Sequence, residues 1–201
     1  MRMRESTFDY AEDIISKAMM FAIAAHSGQY RKDARTPAII HAMEAAVVAS
    51  TLTSDQDVMA AALLHDTVED TDVVSEQLQA MFGEKIADLV ANETENKRRE
   101  MSGESSWMIR KQESIDELRA SENINVKILW LSDKLSNMRS FCRMYEQKGD
   151  EMWNEFNQKD KTKQEWYYRS VAQAVSELAD TSAYREYIML TDRVFGKEKK
   201  E

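Results

Sequence analysis

The stretch Ala61–Thr71, AALLHDTVEDT, decides how the chain is read. An apolar run from Ala61 to Leu64 leads straight into His65-Asp66, and Glu69-Asp70 follow one helical turn later. On one continuous helix His65 and Glu69 would share a face, as would Asp66 and Asp70. Leu63, Leu64 and Val68 would anchor that helix in the core. Polar groups gathered at a buried helix end are costly unless something satisfies them, and a divalent cation would do so. Taken alone, the His-Asp pair also fits a helix end decorated with solvated acids.

Two further segments argue for the cation. His41 stands behind two isoleucines in TPAIIHAMEAA, early in a predicted helix. Asp133 interrupts the apolar run VKILWLSDKLSNM, where a charge needs a partner, and Asn137 lies four residues on, on the same helical face. His41, His65, Asp66 and Asp133 together offer two nitrogens and two oxygens. That mix suits Mn²⁺, Fe²⁺, Co²⁺ or Zn²⁺, with positions left for water and substrate.

The rest of the chain supplies a helical frame. Only 5 Gly and 1 Pro occur among 201 residues, too few for turn-rich β architecture, and charged residues reach 31%. Helices are expected from about Asp9 to His26, from Pro37 to Leu52, and from a capping box of Ser54 and Asp57 through Leu64. Others follow at Ser75–Phe82, Lys85–Glu93, Trp107–Ala120, Asn125–Glu146, Thr162–Ala179 and Ala183–Phe195, with a polar loop over Asn96–Ser106. No repeat or linker divides them. The expectation is an all-α, single-domain bundle over residues 1–196, with 197–201 a frayed charged tail. Methionines such as Met19, Met59 and Met138 read as core fillers, as do the four tryptophans. His26 reads as a helix C-terminal residue favoured by the dipole.

The net charge of −9 argues against nucleic acid as a partner, so bound phosphate would need a locally basic pocket or a metal. No apolar stretch approaches bilayer length, and MRMREST lacks the apolar core of a signal peptide. A single cysteine, Cys142, precludes an internal disulfide and fits a cytoplasmic location. No membrane partner is expected, and a homo-oligomer is compatible with the sequence.

A histidine, then His-Asp, then a distant Asp on successive helices resembles the HD-domain phosphohydrolase superfamily. More closely, RKDARTPAIIH, ALLHDTVEDT and LSDKLSNMRS resemble the hydrolase half of the RelA/SpoT alarmone enzymes, particularly their small stand-alone relatives. The resemblance implies an HD-type helical bundle and metal-dependent hydrolysis of the 3′-pyrophosphate of guanosine tetra- or pentaphosphate. It makes His41, His65, Asp66 and Asp133 the ligands of one divalent metal, usually Mn²⁺, and Glu69 and Asp70 the water-activating pair. It places Arg31, Lys32, Asn137 and Tyr167 on the nucleotide substrate. Binuclear HD enzymes generally recruit further histidines downstream of the His-Asp pair, and none follows His65 here. The chain ends where longer relatives begin a synthetase domain, so no synthesis is expected.

The sequence departs from the family pattern at Ala38, where an aromatic is usual, at Ala42, where proline is usual, and over NETENKRRE. An HD nucleotidase acting on another phosphorylated nucleotide, such as NADPH at its 2′-phosphate, remains an alternative. So does a metal-bound alarmone sensor without turnover, although such a sensor has no use for Glu69-Asp70.

Overall fold

A computed structural model describes residues 13–31, 36–98 and 100–197. Among these residues the only β feature is an isolated bridge between Tyr30 and Pro37. The helices are α1 Ile14–Ala25, α2 Ala38–Leu52, α3 Gln56–Leu64, α4 Thr67–Asp70, α5 Ser75–Phe82, α6 Glu84–Ala91, α7 Gly103–Ala120, α8 Ile124–Lys148, α9 Lys161–Ala174 and α10 Ser182–Phe195. Short 3-10 turns occupy Gly149–Glu155 and Ser176–Leu178.

α3 lies at the centre. Val58 and the run Ala60–Leu64 are all fully buried, so this helix is apolar nearly all round. Its alanines let α1, α2, α6 and α8 approach closely, and all four pack on it. α8, at 25 residues, is about 37 Å long and forms the spine against which α2 and α10 lie. Its buried residues, Val126 to Met144, cover more than one face because neighbours pack on several sides. α1 opens on Asp13, whose carboxylate accepts from the backbone N–H groups of Ile15 and Ser16. Gly28, at φ +79°, turns the chain away after α1.

Several expected boundaries shift. The start of the first helix, expected near Asp9, lies outside the described residues. α3 is capped by Asp55, whose carboxylate accepts from Asp57 N–H at 3.0 Å, and not by Ser54. α7 begins at Gly103 because Ser102 Oγ accepts from Ser105 N–H, so the preceding loop is shorter than expected. The helix expected to run to Ala179 ends at Ala174 and tightens into a 3-10 turn. Met138 is buried, but Met19 is 37% exposed and fills no core. Trp107, Trp130 and Trp153 are buried as expected. Of the expected tail only Lys197 is described.

The helix expected through Leu64 ends there, and a separate short helix carries Glu69 and Asp70. α3 stops at Leu64 and α4 begins at Thr67, with Asp66 at φ −85° and ψ −6° between them. His65 Nδ1 reaches the Ala62 carbonyl at 2.9 Å, and Thr67 Oγ1 donates to the Leu64 carbonyl at 2.6 Å. Side chains thus take up carbonyls at the end of α3 while the chain turns. The Asp66 carbonyl accepts from Asp70 N–H at 2.9 Å, which keeps the acidic pair one turn beyond the break.

Candidate functional site

Two helices and the break after α3 bring the four expected metal ligands together. His41 comes from α2, His65 and Asp66 from the break, and Asp133 from α8. His41 Nε2 lies 2.8 Å from Asp133 Oδ1 and 3.7 Å from Asp66 Oδ2. His65 Nε2 lies 3.3 Å from Asp66 Oδ2 and 3.5 Å from Asp133 Oδ1. The two Nε2 atoms are 3.3 Å apart. Donor atoms of His41, His65 and Asp133 all lie within 4.8 Å of one another, with Asp66 at the more open edge, its side chain 26% exposed.

The donor chemistry fits a divalent cation. Each histidine uses Nδ1 elsewhere, His65 on the Ala62 carbonyl and His41 on Ser136 Oγ at 2.8 Å, which turns both Nε2 atoms toward the carboxylates. Without a cation, two facing imidazole nitrogens need a proton between them. Burial pushes His41 down. Burial also works against a charge on His65, but the Asp66 and Asp133 carboxylates outweigh it and hold that ring well above its ordinary value. The histidines in turn help hold both carboxyls low despite their burial. A divalent ion would replace the proton and face two anions and two neutral nitrogens.

A cavity of about 670 Å³ opens over this cluster, within the range of small-molecule sites. Arg31, Asn137 and Tyr167 line it, as does Ala38. Arg31 Nη2 donates to Asn137 Oδ1 at 2.6 Å, and Asn137 Nδ2 donates to Asp133 Oδ1 at 2.7 Å, so both residues join the cluster through Asp133. Tyr167 is 2% exposed and its hydroxyl has no hydrogen-bond partner among the described residues. Lys32 lies outside the described residues.

Glu69 and Asp70 stand at the cavity wall. Glu69 Oε1 pairs with Lys97 Nζ at 2.6 Å, and its Oε2 accepts from Glu95 N–H at 3.2 Å. Lys97 also reaches Asp70 Oδ1 at 3.1 Å. Burial pushes the Glu69 carboxyl up, and Lys97 works against that rise.

Several groups here escaped the sequence reading. Lys134 pairs with Asp133, lies 3.4 Å from Glu93 Oε1 and stacks 4.6 Å above the Trp130 ring. Glu93 is buried with one oxygen lacking a partner among the described residues, and burial together with the Asp133 charge pushes its carboxyl up to about 8. Glu95 bridges Arg110 and Lys111. The net-acidic chain thus gathers Arg31, Lys97, Arg110, Lys111 and Lys134 around one cavity. Position next to Asp133 was the one sequence signal for Lys134; NETENKRRE showed only that Glu93 and Glu95 are acidic. His26, read as a helix end, is 4% exposed and lines the same cavity, with Nδ1 2.8 Å from Gln29 Oε1.

Comparison with known proteins agrees with this architecture. The HD-domain profile matches residues 18–161. A Myxococcus xanthus protein named GTP pyrophosphokinase is 33% identical over 138 residues, 68% of this chain and 18% of that protein. The guanosine-3′,5′-bis(diphosphate) 3′-pyrophosphohydrolase of Aquifex aeolicus is 36% identical over 139 residues, 69% of this chain and 19% of that protein. The chain therefore aligns with under a fifth of the length of these curated relatives. The crystal structure of lmo0812 from Listeria monocytogenes EGD-e superposes with a TM-score of 0.68 at 30% identity, covering 78% of this chain and 99% of that one. A structure described as a metazoan ortholog of SpoT that hydrolyses ppGpp shares the fold, with a TM-score of 0.66 at 23% identity, covering 90% and 93%. Among the described residues no helix is long and apolar enough to cross a membrane. With its profile match spanning well over half the sequence and its His, His-Asp and Asp converging on one cavity, the chain belongs to the HD-domain family.

Proposed function

We propose that the chain is a cytoplasmic hydrolase that removes pyrophosphate from the 3′ position of guanosine tetra- or pentaphosphate, releasing GDP or GTP. The observation that carries this reading is the juxtaposition of a two-histidine, two-carboxylate cluster with the Glu69-Asp70 pair and a ring of cations in one cavity. The names of the Aquifex and metazoan proteins support the choice of substrate.

His41, His65, Asp66 and Asp133 would hold one divalent ion, Mn²⁺. Such an ion supplies Lewis acidity toward a phosphoryl oxygen and toward water. Glu69, with Asp70 beside it, orients the attacking water and takes its proton. The water oxygen bonds to phosphorus as the bond from phosphorus to the ribose 3′-oxygen breaks, and that oxygen leaves with the electron pair. Lys134, Lys111 and Arg110 face the cavity where charge develops, and each can exchange a carboxylate partner for phosphate. Arg31 and Asn137, tied to each other, take the nucleoside side together with Lys32, the next residue in sequence, and with Tyr167, which lines the same cavity. Ala38 leaves the base end roomier than an aromatic residue would.

A nucleotide panel tests the reading. With Mn²⁺ present, guanosine 3′,5′-bispyrophosphate should give the highest kcat/KM and release pyrophosphate. Glu69→Gln and Asp70→Asn should each lose about 10²–10⁴-fold in turnover while still binding the ion. A larger kcat/KM for NADPH or a nucleoside monophosphate, with orthophosphate as product, would make the chain an HD nucleotidase instead.

A further inference from the structure

The two histidines of the cluster are not held alike. His65 Nδ1 meets a backbone carbonyl, whereas His41 Nδ1 meets a side chain that opens a chain of polar contacts to the surface. Ser136 Oγ lies 2.8 Å from His41 Nδ1 and 2.6 Å from Glu44 Oε2. A hydroxyl has one proton and an ionised carboxylate only accepts, so the Ser136 proton goes to Glu44. Ser136 Oγ must then accept from His41 Nδ1–H, which leaves the Nε2 lone pair facing Asp133 and Asp66. Arg139 steadies the far end: Nη1 donates to Glu44 Oε1 at 3.3 Å, while Nε and Nη2 grip both oxygens of Glu186 at 2.7 and 2.8 Å.

We propose that Glu44, Ser136, Arg139 and Glu186 form a relay that orients His41 and raises its basicity toward the metal, so that α10 helps set metal affinity. This rests on the metal reading above. None of the four is a ligand; all are positioning residues. The relay runs from α2 through α8 to α10, and Glu186 lies beyond residues 18–161, the stretch matched by the family profile. Its chemistry is that of a carboxylate acting on a ligand histidine, here with a hydroxyl interposed. The negative charge of Glu44 strengthens the hydrogen bond from Nδ1–H, and a stronger bond there makes Nε2 a better donor to a cation. Ser136 is 1% exposed, so without its oxygen no solvent replaces the acceptor.

The rival explanation is that the same contacts merely staple α2, α8 and α10 together. The two differ in what they predict for metal binding. Titration of the metal-free protein with Mn²⁺ should show Ser136→Ala weakening binding about 10–100-fold. Glu44→Gln and Glu186→Gln should weaken it less but in the same direction, and Ser136→Thr should restore it. Bound Co²⁺ should show altered visible absorption in Ser136→Ala if the His41 ring has turned. The melting temperature of each metal-free variant reports stapling separately, and the part-exposed Glu44 and Glu186 keep the test open should Ser136→Ala misfold. A Mn²⁺ Kd unchanged within about twofold in the folded variants, with wild type binding normally, overturns the relay. Wild type that binds neither Mn²⁺ nor Co²⁺ overturns the metal reading and the relay with it.

Discussion

Glu69 is a carboxylate whose surroundings pull two ways. Burial raises its pKa, with Asp66 and Glu95 adding to the rise, while Lys97 at 2.6 Å opposes it. Burial also discourages charge on Lys97, but Glu69 and Asp70 outweigh it and hold the ammonium above its usual range. A water-activating Glu69 must be ionised, so activity is present above its pKa and lost as pH falls through it. Lys97→Met removes the largest lowering influence, and the acid limb of the rate profile should therefore move to higher pH. Initial rates across the pH range for wild type and variant check this; coincident acid limbs would show that Lys97 does not govern Glu69. The basic run at 97–99 carried no motif, and only folding assigned its first member a partner.

At the scale of elements, the decisive feature is the break between α3 and α4. Periodicity set the acidic pair one turn after His65-Asp66 but left open whether the helix continues that far. The His65 ring and the Thr67 hydroxyl compete for backbone carbonyls at that point, and such local side-chain bonds disfavour regular continuation. The short α4 is then steadied from outside by Gln29. Gln29 Nε2 donates to the Asp70 carbonyl at 2.7 Å, its own carbonyl accepts from Ala38 N–H at 3.0 Å, and its Oε1 meets His26. One residue thereby joins the end of α1 and the acidic pair through its side chain and the start of the helix bearing His41 through its backbone. Gln29→Ala should cost about 1 kcal/mol of stability from the lost hydrogen bonds. It should also lower kcat by about 10- to 100-fold through misplaced acids, while Mn²⁺ binding stays intact. Unchanged kcat in a folded Gln29→Ala protein would show that α4 holds itself.

For the whole molecule, the ligand cluster joins helices far apart in sequence, and a divalent cation held by it would tie them together. An ion that binds the folded state alone should therefore stabilise the entire bundle. At 100-fold excess over Kd the gain is about 2.7 kcal/mol. For a chain of this length that corresponds to a rise in Tm of roughly 5–10 °C. Calorimetry with Mn²⁺ and then with excess chelator measures it, and Asp133→Ala should abolish the difference. Identical melting curves with ion and chelator would show that no ion bridges α2, α3 and α8.

The amino-acid sequence determined the all-helical class, most helix positions and the identity of the cluster residues. These are local or compositional properties: apolar spacing sets a helix face, and an aspartate inside VKILWLSDKLSNM needs a partner wherever it lands. What only the tertiary structure decided is which distant groups complete the site. His41 meets Ser136 across 95 residues of sequence, and Arg31 meets Asn137 across 106. The buried pairing of Lys134 with Glu93 and of Lys111 with Glu95, and the clamp of Lys97 on Glu69, likewise have no sequence period. They arise because α4, α7, α8 and the segment after α6 converge on one cavity, where charged groups too costly to bury alone must find each other.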